Sequence, residues 1–180
     1  MPRKTLKQRR ERDAARELEL SNDTTIGGRI LKRSKSIAGT DADWFANELY
    51  TDLLDVAEQR FPEIGELCYF SYSAAYGDKY KWWDRRPLAY VLDIKSDYIL
   101  GANLHYYNPN IRSGIAGSLI NKKETYLPQK TLHRYFISNM DGLLIIPEDS
   151  QEWADAAMLV TEKFINKNGK VSPERVWDSI

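Results

Sequence analysis

Apolar residues follow two spacings along the chain, one typical of helices and the other of strands. Phe45, Leu49 and Leu53 recur every four residues, which predicts an amphipathic helix that begins at Thr40 and ends before Pro62. A similar stripe predicts a second helix from residue 149 or 150 to about residue 166, and weaker patterns predict helices over residues 111–121 and 129–139. Pro173 is expected to start a last helical turn.

The middle of the chain contains short aromatic and β-branched runs that are typical of strands. These runs predict strands over Leu67–Tyr72 and over residues 87–94, 98–107 and 143–146. An order of helix, several strands and then helices favours an α+β fold over a doubly wound sheet. We therefore expect a small SH3-like antiparallel β-barrel flanked by helices.

Charge divides the chain, although its 26 basic and 26 acidic residues give no net charge. Residues 1–36 contain eleven Lys and Arg against five acids, whereas residues 41–66 contain eight acids and one Arg. This asymmetry predicts a basic N-terminal arm over residues 1–36, extended or a solvated helix, and a single α+β domain over residues 37–180. We expect the arm to pack poorly on the domain, to become ordered against a partner, and to be removable without unfolding the domain.

The residue inventory favours a protein without catalytic chemistry. Cys68 is the only cysteine, which excludes an intrachain disulfide and a cysteine metal cluster. His105 and His133, the two histidines, stand in no metal-ligand spacing, and the sequence has no phosphate-binding glycine loop and no Gly-x-Ser-x-Gly elbow. We therefore predict no catalytic residue, no cofactor and no metal ion. No signal peptide and no membrane span are predicted either.

Two basic segments are candidate contact surfaces for a partner protein or a nucleic acid. The first set is Arg3, Lys4, Lys7, Arg9, Arg10, Arg12, Arg29, Lys32, Arg33 and Lys35, and the second is Lys81, Trp82, Trp83, Arg85 and Arg86. Lysine and arginine can neutralise phosphates, and interleaved aromatic rings can stack on bases or form a protein hot spot. The alternative for the first set is a solvated arm, and for the second it is packing within the domain.

A longer pattern resembles proteins of large contractile-tailed bacteriophages. It consists of an aromatic-aromatic-Asp-x-x-Pro-Leu run, residues 82–88, and a Gly-x-Asn-x-His-Tyr run, residues 101–106, followed by Pro109. The resemblance covers about residues 65–120 and extends to virion proteins described as DNA end protectors or head-completion proteins. It marks Asp84, Pro87, Gly101, Asn103, His105 and Tyr106 as a structural motif. Because the neighbours of His105 are apolar or aromatic, we expect its ring to be at least partly buried and hydrogen-bonded.

The resemblance implies a non-enzymatic virion structural protein of the capsid, neck or tail, a group that includes head-tail connectors. Its partners would be other virion proteins in a multi-copy assembly, with packaged DNA as a further candidate and with no membrane or small-molecule substrate. It would be located in the virion and assembled in the host cytoplasm. The alternative is a nucleic-acid-binding or nuclease-like small-barrel protein, since residues 85–92 also resemble a strand of SH3-like toxin ribonucleases. The catalytic residues of those ribonucleases have no clear counterpart in this sequence.

Overall fold

The computed structural model describes residues 25–56 and 60–180. Its helices are α1 (Ile26–Ser34), α2 (Ala42–Leu54), α3 (Pro109–Ile120), α4 (Ser150–Met158) and α5 (Pro173–Trp177). Its strands are β1 (Leu67–Tyr72), β2 (Leu88–Ile94), β3 (Tyr98–Asn103), β4 (Leu132–Phe136), β5 (Met140–Ile145), β6 (Phe164–Asn166) and β7 (Gly169–Val171). The predicted α+β class is confirmed.

Five strands form one antiparallel sheet in the order β4-β3-β2-β1-β5. The sheet is not closed, because β4 and β5 lie at its two opposite edges. The SH3-like barrel of the prediction is therefore not confirmed. Strands β6 and β7 form a separate hairpin, which joins the body through an antiparallel bridge between Trp83 and Ile165.

Each face of the main sheet carries its own core because side chains alternate along a strand. Leu67 and Tyr69 of β1 pack on the side that the helices cover, together with Trp153 of α4. Cys68 and Phe70 point to the other face, where a second cluster is built on aromatic and β-branched residues. The polar segment between β1 and β2, residues 73–87, carries part of the candidate site.

Helix α1 occupies residues 26–34 of the predicted basic arm and packs against the domain. Ile26 and Ile30 are 2% and 0% exposed and belong to the main core. The Ile26 backbone N–H donates to both oxygens of Glu152 on α4, at 3.1 and 2.9 Å. A carboxylate at a helix N-terminus is stabilised by the helix dipole. Residues 26–34 are thus a packed helix rather than part of an extended or solvated arm; residues 1–24 lie outside the described residues.

Several predicted elements also differ from the structure: the strand predicted over residues 98–107 ends at Asn103, and the helix predicted to end before Pro62 ends at Leu54. Residues 129–139 form two single turns of 3₁₀ helix around strand β4 instead of one helix. Helix α4 ends at Met158, so that residues 164–166 are free to form β6. Helix α2 is capped by Asp41 instead of Thr40, since the Asp41 carboxylate accepts the Trp44 N–H at 2.9 Å.

Candidate nucleic-acid interface

The two halves of the motif at residues 82–88 and 101–106 meet at one buried carboxylate. Oδ2 of Asp84 lies 2.7 Å from Nδ1 of His105 and accepts a hydrogen bond from Nδ2 of Asn103 at 3.1 Å. Its Oδ1 accepts the backbone N–H of Arg86 at 3.0 Å. We call these four residues the Asp84 network. The network fixes the backbone of the basic and aromatic segment against the end of β3.

Burial and the contact between Asp84 and His105 together set the protonation of the Asp84 network. Burial alone would raise the pKa of Asp84, but the interaction with His105 and the hydrogen bonds to the carboxylate outweigh it and lower that pKa. Burial also lowers the pKa of His105, although Asp84 opposes the shift. This fits an ionised Asp84 that accepts a hydrogen bond from the Nδ1–H of a neutral imidazole. The predicted burial of His105 is confirmed, with 8% of the residue exposed.

A buried arginine interacts electrostatically with the Asp84 network. Arg112 of α3 is 0% exposed and donates to the carbonyl oxygens of Tyr107 and Leu159 and to the hydroxyl of Thr161. Burial lowers the pKa of its guanidinium to about 9, and the negative charge of Asp84 opposes that shift. Arg112 therefore remains cationic at neutral pH. Its charge balances the buried carboxylate.

Arg85 and Arg86, two of the predicted contact residues, are bound to acidic and polar groups of the protein. Arg85 Nη2 lies 2.9 Å from Oε1 of Glu162 and 3.4 Å from Oδ1 of Asp43. Arg86 donates to the Asn47 amide oxygen at 2.7 Å, and its Nε lies 3.7 Å from Glu162. A phosphate would have to compete with these carboxylates for both guanidinium groups.

Trp82 and Trp83 line a cavity of about 200 Å³, which we call the aromatic pocket. Its lining includes Tyr72, Tyr80, Trp82, Tyr106, His133 and Tyr135. The ammonium of Lys81 lies 4.2 Å from the centre of the Trp82 ring, a cation–π contact. Arg134, also part of the lining, is exposed. The pocket thus combines aromatic walls with basic groups next to solvent.

The structure separates the predicted contact residues of the first basic set. Arg29, Lys32 and Arg33 lie on α1 and Lys35 is its C-cap, away from the aromatic pocket lining. Arg33 Nη2 lies 2.7 Å from Glu48 and 3.0 Å from Asp52. The six remaining predicted residues, Arg3, Lys4, Lys7, Arg9, Arg10 and Arg12, lie outside the described residues.

Two structural motif residues act through packing. Pro87 is buried just before β2, and Gly101 on β3 leaves room for its neighbours, since a Cβ there would lie 3.2 Å from the Tyr135 ring and 3.3 Å from Cβ of Ala89. Tyr106 donates its hydroxyl to the Trp82 carbonyl at 3.4 Å, which joins the motif halves a second time.

Sequence reasoning missed His133 and Tyr135, which contribute to the aromatic pocket from β4. The period-two placement of two aromatic rings was the available signal, but residues 129–139 were predicted to be helical, and a helix would have put the two rings on different faces. The ring centres of Tyr106 and His133 are 4.6 Å apart in the structure. Arg112 was also missed, because nothing in a single sequence marks an arginine as buried.

The part of the chain described by the structure contains no cluster of three or more His, Cys, Asp or Glu residues arranged to hold a metal ion. Within the same ranges no helix is long and apolar enough to cross a membrane.

Comparison with known families identifies the class of protein as the DNA-protecting proteins of bacteriophages. Residues 2–134, more than half of the chain, match the family described as the phage T4 terminal DNA protecting protein. The chain belongs to this family. No curated protein and no solved structure matches it. The predicted resemblance to phage DNA end protectors is thereby supported, and the matched range includes the Asp84 network.

Proposed function

We propose that the protein is a non-enzymatic, virion-associated protein of a bacteriophage that binds and covers the ends of linear DNA. The family match over residues 2–134 carries this proposal, because the family description names the protection of terminal DNA. The matched range includes every residue predicted to contact a partner or nucleic acid. The proposed location is the virion, after assembly in the host cytoplasm.

The geometry beside the Asp84 network supports a DNA contact. Lys79 and Lys81 are exposed and lie over the rings of Tyr76 and Trp82, at 5.1 and 4.2 Å from the ring centres. Neither lysine is in an ion pair with a described carboxylate, unlike Arg85 and Arg33. Lysines of this kind are available to neutralise phosphates. We propose that they act together with the basic residues between Arg3 and Arg12.

Docking on other virion subunits is the second part of the proposal. Leu54, Val56, Phe61 and Ile64 are 42%, 51%, 49% and 63% exposed near the end of α2. Exposed apolar side chains that cluster in one region are typical of protein contact surfaces. Such a contact would hold the protein in the particle while the basic groups face the DNA.

An exonuclease-protection assay tests the DNA-end proposal. We expect the protein to slow the digestion of linear duplex DNA, and a linear competitor to abolish protection more effectively than a closed circle of equal length. The logarithm of the binding constant should fall linearly with the logarithm of the salt concentration, with a slope of about −0.9 per phosphate contacted. Equal competition by circular and linear DNA, or no protection, would contradict end binding.

A matched pair of double variants locates the DNA-binding surface. Lys79→Ala with Lys81→Ala should weaken DNA binding and reduce the salt slope by about 0.9 for each phosphate that is no longer neutralised. Lys123→Ala with Lys167→Ala removes the same charge from exposed sites outside the aromatic pocket and should change neither. Equal effects of both pairs would indicate a nonspecific charge effect and contradict this location.

A cleavage assay tests the alternative of a nuclease. Incubation of the protein with end-labelled single- and double-stranded DNA and RNA, with and without magnesium, should leave every strand uncut. Cleavage that Arg86→Ala or His105→Ala abolishes would overturn the non-enzymatic proposal.

A further inference from the structure

The aromatic pocket has a shape and chemistry that the Asp84 network does not require. Its volume of about 200 Å³ is smaller than the ~300–1,000 Å³ of pockets for drug-sized ligands. Aromatic rings from three parts of the chain line it: Tyr72 on β1, Trp82 in the following segment, and Tyr135 on β4. A cavity of this size and lining suits one flat aromatic group.

Two buried side-chain atoms of the pocket lining, Nε2 of His133 and the hydroxyl of Tyr135, have no hydrogen-bond partner within the described residues. A buried polar atom without a partner is costly, and a bound group that supplies the missing hydrogen bond would remove that cost. Burial also lowers the pKa of His133 to about 4, so the imidazole is neutral at physiological pH and can donate or accept one hydrogen bond.

The charges around the pocket favour different positions for the base and the phosphate of a nucleotide. Asp84, whose carboxylate is buried and ionised, contributes to the lining and would repel a phosphate. Lys81 and Arg134 are exposed and would attract it. An uncharged base therefore fits the inside of the pocket, while its phosphate stays with the two cations at the solvent side.

We propose that the aromatic pocket holds one unstacked nucleobase at a DNA terminus, with His133 Nε2 hydrogen-bonded to the edge of the base and Lys81 and Arg134 at its phosphate. This inference rests on the proposed function, because it assumes that the protein binds DNA ends. A paired base inside a duplex cannot enter a cavity of this size without leaving the stack. The pocket would thus select a terminus, where an unpaired base costs least to unstack.

Competition between two matched DNA ends tests the pocket. Each is a duplex with a one-nucleotide overhang, and the overhang bears either a base or an abasic site. Stacking of a base on aromatic side chains predicts about tenfold tighter binding of the end that bears the base. Equal affinity for the two ends, with salt-dependent binding intact, would overturn the pocket proposal and leave the DNA-end proposal standing. Failure of both ends to bind would contradict both.

Variants assign the preference to the pocket. Tyr80→Ala is suited to this because Tyr80 lines the pocket while 48% exposed, so its removal should preserve the fold. We expect Tyr80→Ala and His133→Phe to reduce the preference for the base at least threefold, while binding of the abasic end is unchanged. Tyr126→Ala, at an 85% exposed tyrosine outside the pocket, is the control and should retain the full preference. A preference that survives Tyr80→Ala and His133→Phe would overturn the proposal.

Discussion

Asp84 and His105 are 21 positions apart in the sequence, yet Oδ2 of the first lies 2.7 Å from Nδ1 of the second. Both residues are buried, and the contact ties the segment between β1 and β2 to the turn after β3. The backbone carbonyl of His105 also accepts the indole N–H of Trp177 at 2.9 Å, which links α5 to the same point. The pair and the Trp177 hydrogen bond therefore hold three parts of the chain together at one buried point.

Breaking this pair should destabilise the fold strongly. Removing one partner of a buried pair leaves an uncompensated polar group, so we expect Asp84→Asn to lower the free energy of unfolding by about 3 kcal/mol. His105→Ala should cost roughly 1–3 kcal/mol. Urea denaturation measures both. Asp141→Asn is the matched control at an exposed site and should leave the midpoint unchanged; an equally small effect of Asp84→Asn would refute a structural role for the network.

The sequence pattern identified the members of this network but not their arrangement. Asp84, Asn103 and His105 were all marked by the motif, because each belongs to a run with a distinctive spacing. The contact between them depends on the register of β2 with β3, in which Ala89 pairs with Asn103. Such register is set by long-range packing, which no local spacing shows. The pocket side chains from β4 depend on one more strand pairing and escaped prediction for that reason.

Glu162 should make stability depend on pH. Burial and a hydrogen bond with Asp43 raise its pKa to about 7, although Arg86 and Arg85 oppose the shift and Asp84 reinforces it. The folded state therefore holds a proton that the unfolded chain releases from about pH 4.5 upward, and stability is lost as the pH rises from there through about 7. Glu162→Gln imitates the protonated side chain and lacks this loss.

Urea midpoints at a pH near 5 and near 8 measure the effect. We expect Glu162→Gln to be more favourable relative to the wild type at the higher pH than at the lower. Glu174→Gln, at an exposed site on α5, should show no such difference. A stability difference for Glu162→Gln that is constant across this range would mean that the carboxyl does not titrate there.

Two glycines in helices should respond to alanine in opposite directions. A Cβ on Gly27 of α1 would lie 2.6 Å from Cβ of Asp155, whereas nothing lies within 4 Å of one on Gly114 of α3. Gly27→Ala should therefore cost about 1–3 kcal/mol through overpacking. Gly114→Ala should stabilise by about 0.5–1 kcal/mol, since alanine favours a helix. Thermal unfolding of both variants decides this, and a stabilising Gly27→Ala would show that α1 does not pack closely on α4.

Gly27 also explains why the start of the domain was misjudged from sequence. A Gly-Gly pair between polar residues and a basic cluster is typical of a flexible connection. Here it permits close contact between two helices, a role that becomes visible only when Asp155 is known to lie opposite. The prediction for residues 129–139 failed through another cause: pairing of β4 with β3 overrode a local preference for helix. By contrast, β1 and β2 were predicted well, because their apolar runs are short, central and buried.

Two N-terminal deletions should separate DNA binding from folding. Residues 1–24 contain seven Lys and Arg but none of the described core residues. Removing them should leave cooperative unfolding intact and reduce the salt slope of DNA binding, by about 0.9 for each phosphate that those side chains neutralise. Removing residues 1–36 also takes away Ile26 and Ile30, and should lower the free energy of unfolding by at least about 4 kcal/mol, since each buried isoleucine contributes ~2–5 kcal/mol.

The second deletion tests the expectation that a domain starting at residue 37 folds on its own. Unfolding in urea, DNA binding across a salt series and incorporation into particles give three separate readouts. The shorter deletion should keep its stability in urea but bind DNA more weakly and enter particles less well. The longer deletion should be impaired in all three. If the shorter deletion binds DNA and enters particles like the full chain, the basic residues between Arg3 and Arg12 are dispensable, and DNA contact must rest on the surface around Lys79 and Lys81. If the longer deletion is as stable as the shorter, the packing of α1 on α4 contributes little to the fold.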